Sequence, residues 1–211
     1  MKYFWQGFAI LAGVTAVIFV FFILSLPVRN HITFTDKQAP TVPEITIADP
    51  SLGPQNAPVT IVNYGDYQCQ ACALFESTLK DLRDQYGDKL RIVWKDMPNS
   101  GAHGEAISSA IAARCGEKQK KFWEFHSALM MNQSLLGTDL YTKIATDLKL
   151  NVNKFSRCFT SQETLPLVQR GYDEGTLLQI TTTPTIYLNN VRYSGDLSTS
   201  VLKRAIDAIL K

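Results

Sequence analysis

Two cysteines stand two residues apart in Cys69-Gln70-Ala71-Cys72, directly after the apolar run Val59-Thr60-Ile61-Val62-Asn63-Tyr64, which reads as a buried strand. Downstream, Cys72, Phe75, Leu79, Leu82 and Tyr86 recur at three- and four-residue intervals, so the pair opens an amphipathic helix. Thiols at that spacing can close into a disulfide and open again. The first sits among unpaired backbone N–H groups at the positive end of the helix dipole, which favour thiolate over thiol. Cys69 is therefore the expected nucleophile. Cys72, one turn in and on the apolar face, is shielded and placed to attack a mixed disulfide formed at Cys69, a division of labour that amounts to thiol–disulfide exchange. Two other readings of a lone pair are half of a zinc site and an inert bridge. Zinc needs about four ligands, and no second such pair or spaced histidines accompanies this one, so no metal is expected. No cofactor is expected either.

The elements that must position this pair follow from the rest of the chain. Its 211 residues suit one domain plus an appendage. A net charge of +2, with Lys and Arg scattered, gives no basic surface interleaved with exposed aromatics, which argues against a nucleic-acid partner. Residues 4–26 carry no charge and are almost wholly apolar, long enough to cross the hydrocarbon core of a bilayer, with Lys2 and Arg29 as flanks and Tyr3, Phe4 and Trp5 at the interface. A cleaved signal peptide is the rival, but Ser25-Leu26-Pro27-Val28-Arg29 offers no small-x-small site. An uncleaved anchor contacting the lipid bilayer is expected. Residues 27–56 are rich in proline and read as an extended linker, with a short strand expected at Glu44-Ile45-Thr46-Ile47.

Within residues 57–211, the first strand and the Cys69 helix lead past Gly87, a helix stop, to a second strand, Leu90-Arg91-Ile92-Val93-Trp94-Lys95. Strand, helix, strand at this spacing is a βαβ unit with a parallel pair. A helical block over about 101–178 follows, with Asn151 or Asn153 as one helix cap and Pro166 near the start of its last helix. The sheet resumes at Thr181 to Leu188, turns at Asn189-Asn190, and ends in a helix beginning near Ser198. Cys115 and Cys158 both lie in the block. In an oxidising compartment they are expected to form a structural disulfide, and in a reducing one to remain buried thiols. Lys95 and Asp66 read as solvated charges. His126 reads as a packed or half-exposed helix residue, and His103 and His126 stand too far apart for a ligand pair.

This arrangement resembles the thioredoxin fold of the DsbA-like thiol–disulfide oxidoreductases: an α/β domain with a central mixed sheet and a helical insertion between its βαβ and ββα halves. The residues that carry the resemblance are Ala57-Pro58-Val59-Thr60-Ile61-Val62 leading to Asp66-Tyr67-Gln68-Cys69, then Lys121-Phe122-Trp123-Glu124-Phe125-His126, and Thr183-Pro184-Thr185 with Gly195. The resemblance implies that Cys69 is the attacking and leaving thiolate, Cys72 the resolving thiol, and Pro184 a cis proline facing them. It implies that Thr183 presents its backbone to an extended substrate beside Gln70 and Ala71. Two departures stand out. Relatives often place a Pro followed by His or Tyr where Gln70 and Ala71 stand, and a titratable Glu where Asn63 stands.

The function expected is that of an anchored, monomeric oxidoreductase on the extracytoplasmic side of the cell membrane. It would donate its disulfide to cysteines of exported proteins and be reset by a membrane redox partner. A reductase serving metal or haem assembly, and a disulfide-stapled binding or chaperone module without turnover, are the alternatives.

Overall fold

The computed structural model describes residues 40–211, and the expected anchor at residues 4–26 lies outside them. Among the described residues no helix is long and apolar enough to cross a membrane.

A five-stranded sheet in the order β1-β3-β2-β4-β5 forms the centre, built from β1 (Ser51–Leu52), β2 (Val59–Gly65), β3 (Leu90–Asp96), β4 (Thr185–Leu188) and β5 (Val191–Tyr193). β2 and β3 run parallel, with Val59 opposite Leu90 and Gly65 opposite Asp96. Every other pairing is antiparallel. The β2–β3 crossover is α1 (Gln70–Tyr86). It ends because Gly87, at φ 50°, takes a left-handed conformation that residues with a Cβ adopt at a cost. The closing hairpin turns at Asn189 and Asn190, whose φ values of 41° and 71° belong to the two-residue turn expected there.

α1 and the last helix, α7 (Thr199–Ile209), cover one face of the sheet. Phe75, Leu79 and Leu82 of α1 and Leu202 and Ile206 of α7 pack onto Val59, Ile61, Leu90, Ile92, Ile186 and Leu188. Each such side chain contributes about 1.5–3 kcal/mol when fully buried, so the helix is fixed to the sheet along its length. Five helices make the insertion: α2 (Ala106–Glu117), α3 (Phe122–Met131), α4 (Thr138–Asp147), α5 (Val152–Thr160) and α6 (Leu165–Leu177). They share one core that includes Tyr67, Cys72 and Trp94, so the insertion packs directly against the dithiol end of the sheet. The Asn151 side chain caps α5 by accepting the Lys154 N–H at 2.9 Å. Cys115 of α2 and Cys158 of α5 are joined by a disulfide.

Three expectations change. No strand forms over residues 44–47, where the chain instead turns and Asp49 Oδ2 accepts the N–H of Thr46 at 2.7 Å. The first strand comes later, at β1, whose Ser51 and Leu52 pair with Val93 and Ile92, so the end of the stretch expected as linker belongs to the sheet. Lys95, expected to be solvated, is buried. Its Nζ lies 3.0 Å from Asp49 Oδ2, 2.8 Å from Glu174 Oε2 and 2.6 Å from the Glu44 carbonyl. Arg170 adds a contact of 2.6 Å to the other oxygen of Asp49. Burial is tolerated because every charge has a partner. These contacts fasten residues 44–49 to β3 and α6.

α6 crosses the end of β3 so closely that a Cβ at Gly171 would stand 2.7 Å from the Asp96 carbonyl oxygen. Glycine is what lets the two backbones meet there.

Candidate active site

Cys69 is the N-cap residue of α1, with extended backbone angles, and its carbonyl accepts the N–H groups of Cys72 and Ala73 at 3.1 and 3.2 Å. The pair is in the dithiol state. The Cys69 thiol is lowered to about 5: the Cys72 S–H donates to its sulfur, and this outweighs partial burial, with further help from Thr183 and the N–H groups of Cys72 and Ala71. The same hydrogen bond, together with deeper burial, pushes the Cys72 thiol well above the usual range. The two sulfurs are therefore unequal. One is a thiolate at neutral pH and the other holds its proton.

Thr183 and Pro184 face this pair. The bond between them is cis, and the Thr183 carbonyl oxygen lies 3.3 Å from Cys69 Sγ, where it accepts the S–H only when Cys69 is protonated. Ala71, Leu74 and Phe75 of α1 line an open cleft with Thr183, Pro184 and Leu197. On the other side of Thr183, Asn99, Ser100, Tyr172 and Thr181 line a second, more polar cleft. Cys69, Ala71, Thr183 and Pro184 thus come together. Gln70 is exposed at the helix start.

The loop before Cys69 is held on several sides. Asp66, expected to be solvated, is buried: one carboxylate oxygen accepts the Gln68 N–H at 2.8 Å, and the other accepts the Asn99 N–H and faces His103 Nδ1, each at 2.8 Å. The carboxylate serves as the acceptor that closes the loop, which is why it is not in water. The Tyr67 hydroxyl lies 3.0 Å from Nδ1 of His126, a fully buried ring enclosed by Tyr67, Trp94, Phe122 and Trp123. His126 Nε2 is 3.1 Å from Glu76 Oε1 on α1 but out of line for a hydrogen bond. Below this cage, Asp96 Oδ1 accepts the Trp94 indole N–H and Oδ2 accepts the Arg114 Nε–H, both at 2.7 Å. Asn63 is buried, opposite Trp94 and Ile186 in the sheet, and its Oδ1 has no hydrogen-bond partner among the described residues.

Gln133 escaped the sequence reading. It lies in a short 3-10 turn, Gln133–Leu135, after α3, and its Nε2 donates to the carbonyls of Tyr67 and Cys69 at 2.8 and 2.9 Å. No periodicity or motif marks it, and 64 residues separate it from Cys69. Among the described residues no group of three or more His, Cys, Asp or Glu side chains is arranged to hold a metal ion.

A dithiol at a helix start, a cis proline beside it and a helical insertion within a thioredoxin-type sheet define the class: a thioredoxin-fold protein of the DsbA-like architecture. The chain belongs to the thioredoxin family, whose model, described as "Thioredoxin", matches residues 46–208. Its fold is similar to that of BdbD from Bacillus subtilis in the oxidised state, with a TM-score of 0.72 and 23% identity over 81% of this chain and 97% of that one. It is similar also to alpha-DsbA1 from Wolbachia pipientis, with a TM-score of 0.69 and 20% identity over 80% and 92% of the two chains. Among curated proteins, the Na(+)/H(+) antiporter NhaA 3 of Salinispora tropica is 29% identical over 73% of this chain and 24% of its own length. The antiporter NhaA of Nitrosospira multiformis is 29% identical over 75% and 25%. The chain thus spans about a quarter of the length of the curated relatives it matches.

Proposed function

We propose that this protein is a thiol–disulfide oxidoreductase that passes the Cys69–Cys72 disulfide to cysteine pairs of exported proteins. The observation that carries the reading is the geometry of the pair: Cys69 stands at the N-cap of α1, 3.3 Å from the Thr183 carbonyl oxygen, with Cys72 one turn inside and buried, an arrangement in which Cys69 is lowered to about 5 while Cys72 keeps its proton. A stabilised Cys69 thiolate favours the dithiol over the disulfide, which makes the disulfide form an oxidant.

In the forward reaction a substrate thiolate attacks Cys69 Sγ. The Cys69–Cys72 bond breaks, Cys72 leaves and is protonated, and a mixed disulfide joins Cys69 to the substrate. A second substrate thiolate then attacks the substrate sulfur, forming the substrate disulfide and releasing Cys69 as thiolate. The two electrons from the substrate now reside on the dithiol, and a membrane redox partner takes them up to restore the disulfide. Thr183 and Pro184, with the clefts beside them, supply the surface against which an extended segment can lie.

An extracytoplasmic site, tethered by residues 4–26, is part of the same proposal. The Cys115–Cys158 disulfide supports an oxidising compartment, and the uncharged length of residues 4–26 supports the tether.

The test is the equilibrium of Cys69–Cys72 in glutathione buffers, followed by alkylation and mass spectrometry alongside Cys69→Ser and Cys72→Ser. A potential near −120 mV, approximately that of a strong disulfide donor, is expected, with exchange lost in Cys69→Ser and mixed disulfides trapped in Cys72→Ser. A potential near about −270 mV would reverse the direction to a reductase. Equal activity in both variants and the wild type would overturn the proposal.

A further inference from the structure

Beyond apolar packing around Cys69 and Cys72, the insertion sends a hydrogen-bonding side chain to the backbone of the reactive loop. The Gln133 carboxamide has two N–H donors and spends both on the reactive loop, at the Tyr67 and Cys69 carbonyls. The Cys69 carbonyl already accepts the two N–H groups that open α1, so Gln133 is a third donor converging on the N-cap peptide. We propose that Gln133 is a positioning residue through which the helical insertion sets the reactivity of Cys69.

Two effects act in the same direction. The N–H groups of Ala71 and Cys72 reach the Cys69 sulfur only while Cys69 keeps its N-cap conformation, and Gln133 pins the turn at Tyr67 and again at Cys69. Its amide hydrogens also add the positive end of a dipole at the site where the helix N-terminus presents its own. Both favour the thiolate. The loop does not depend on Gln133 for its fold. Tyr67 is held by His126 and Asp66 by Gln68, Asn99 and His103, so a variant lacking the carboxamide keeps these anchors.

The inference rests on Cys69 being the reactive thiolate, and the experiment separates the two ideas. In the reduced protein, the rate of Cys69 alkylation by iodoacetamide is followed against pH for the wild type, Gln133→Met and Gln133→Glu, with thermal unfolding recorded on each. Methionine keeps the length of the side chain and removes both donors, and glutamate removes them and adds a negative charge. The midpoint is expected to rise by about one pH unit in Gln133→Met, so that at pH 5 its alkylation slows about fivefold, and to rise further in Gln133→Glu. A wild-type profile with an ordinary thiol midpoint would remove the reading of Cys69. A lowered wild-type midpoint that Gln133→Met leaves in place would overturn the role of Gln133, whatever happens to stability. A shift in Gln133→Glu alone would overturn it too, because charge rather than hydrogen bonding would then be responsible.

Discussion

Cys69 Sγ and the carbonyl oxygen of Thr183 lie 3.3 Å apart, although 114 residues separate them. The sheet causes this meeting. Tyr64 near the end of β2 is paired with Thr185 at the start of β4, so the turn leading out of β2 and the segment leading into β4 emerge side by side. Whatever chemistry Cys69 performs takes place against the Thr183 backbone.

The hydrogen bond that the Cys72 S–H gives to the Cys69 sulfur carries a pH dependence. The Cys69 thiol has a folded value of about 5 against an ordinary thiol value near 8.5. Between these values the unfolded chain binds a proton that the folded chain does not, so stability rises with pH across the window and is lost as pH falls through about 5. Cys72, raised instead, stays protonated in the fold and acts in the opposite direction only as pH nears the ordinary thiol value, a contribution that Cys69→Ser shares. The melting temperature of the reduced wild type is expected to gain on that of Cys69→Ser as pH rises from about 5 to about 8.5. Parallel curves would mean an ordinary thiol.

Lys95 fastens residues 44–49 to the domain. In Lys95→Met, Asp49 and Glu174 face each other without the ammonium, and a loss of about 3–5 kcal/mol is expected in urea unfolding. The Asp49 carboxyl is held below its usual value: burial opposes this, but the Thr46 N–H together with Lys95 and Arg170 outweighs it. A depressed carboxyl stabilises the fold above its unfolded value and loses that contribution as pH falls through the folded one. Acid should therefore loosen the segment, and limited proteolysis near residues 44–49 is expected to speed up in Lys95→Met and at low pH. Unchanged cleavage would show that other contacts hold it.

Replacing Asp96 tests the support beneath the aromatic cage. Asp96→Ala leaves the buried Arg114 guanidinium and the Trp94 indole N–H without their shared acceptor, at a cost of about 3–5 kcal/mol. Asp96→Asn keeps one oxygen acceptor and is expected to lose less. A smaller loss in the alanine variant would argue that the ion pair contributes little.

The disulfide in the insertion closes a loop across a sequence separation of 43 residues. By loop-closure entropy, replacing Cys115 and Cys158 together with alanine is expected to cost about 4 kcal/mol in denaturant unfolding. The Cys69 alkylation profile should stay in place, because among the described residues no hydrogen bond joins either cysteine to the reactive loop, and Cys115 faces the Thr164 hydroxyl instead. A shifted profile would couple the two disulfide sites.

Much of this arrangement was legible in the residues. The strand before Cys69, the amphipathic spacing of α1, the Asn189-Asn190 turn and the cap at Asn151 are local, and local patterns follow from backbone geometry and from which face an element must bury. The pairing of cysteines at a helix start likewise announced its chemistry. Long-range partners were not legible. Lys95 and Asp66 looked solvated because a charge in sequence does not show the carboxylates, N–H groups or imidazole that will satisfy it, and here these come from residues 44–49, the β3–α2 loop and α6. The strand expected at residues 44–47 gave way to a turn because Asp49 accepts the Thr46 N–H and is drawn toward Lys95. Gln133 carried no signal at all: a carboxamide in a short turn acquires meaning only when packing of the insertion brings it to the Cys69 carbonyl. The sequence by itself determined the elements and the dithiol, since these depend on neighbours a few residues away. Only the tertiary structure decided which distant groups complete the site, because hydrogen bonds and ion pairs are selected by position in space.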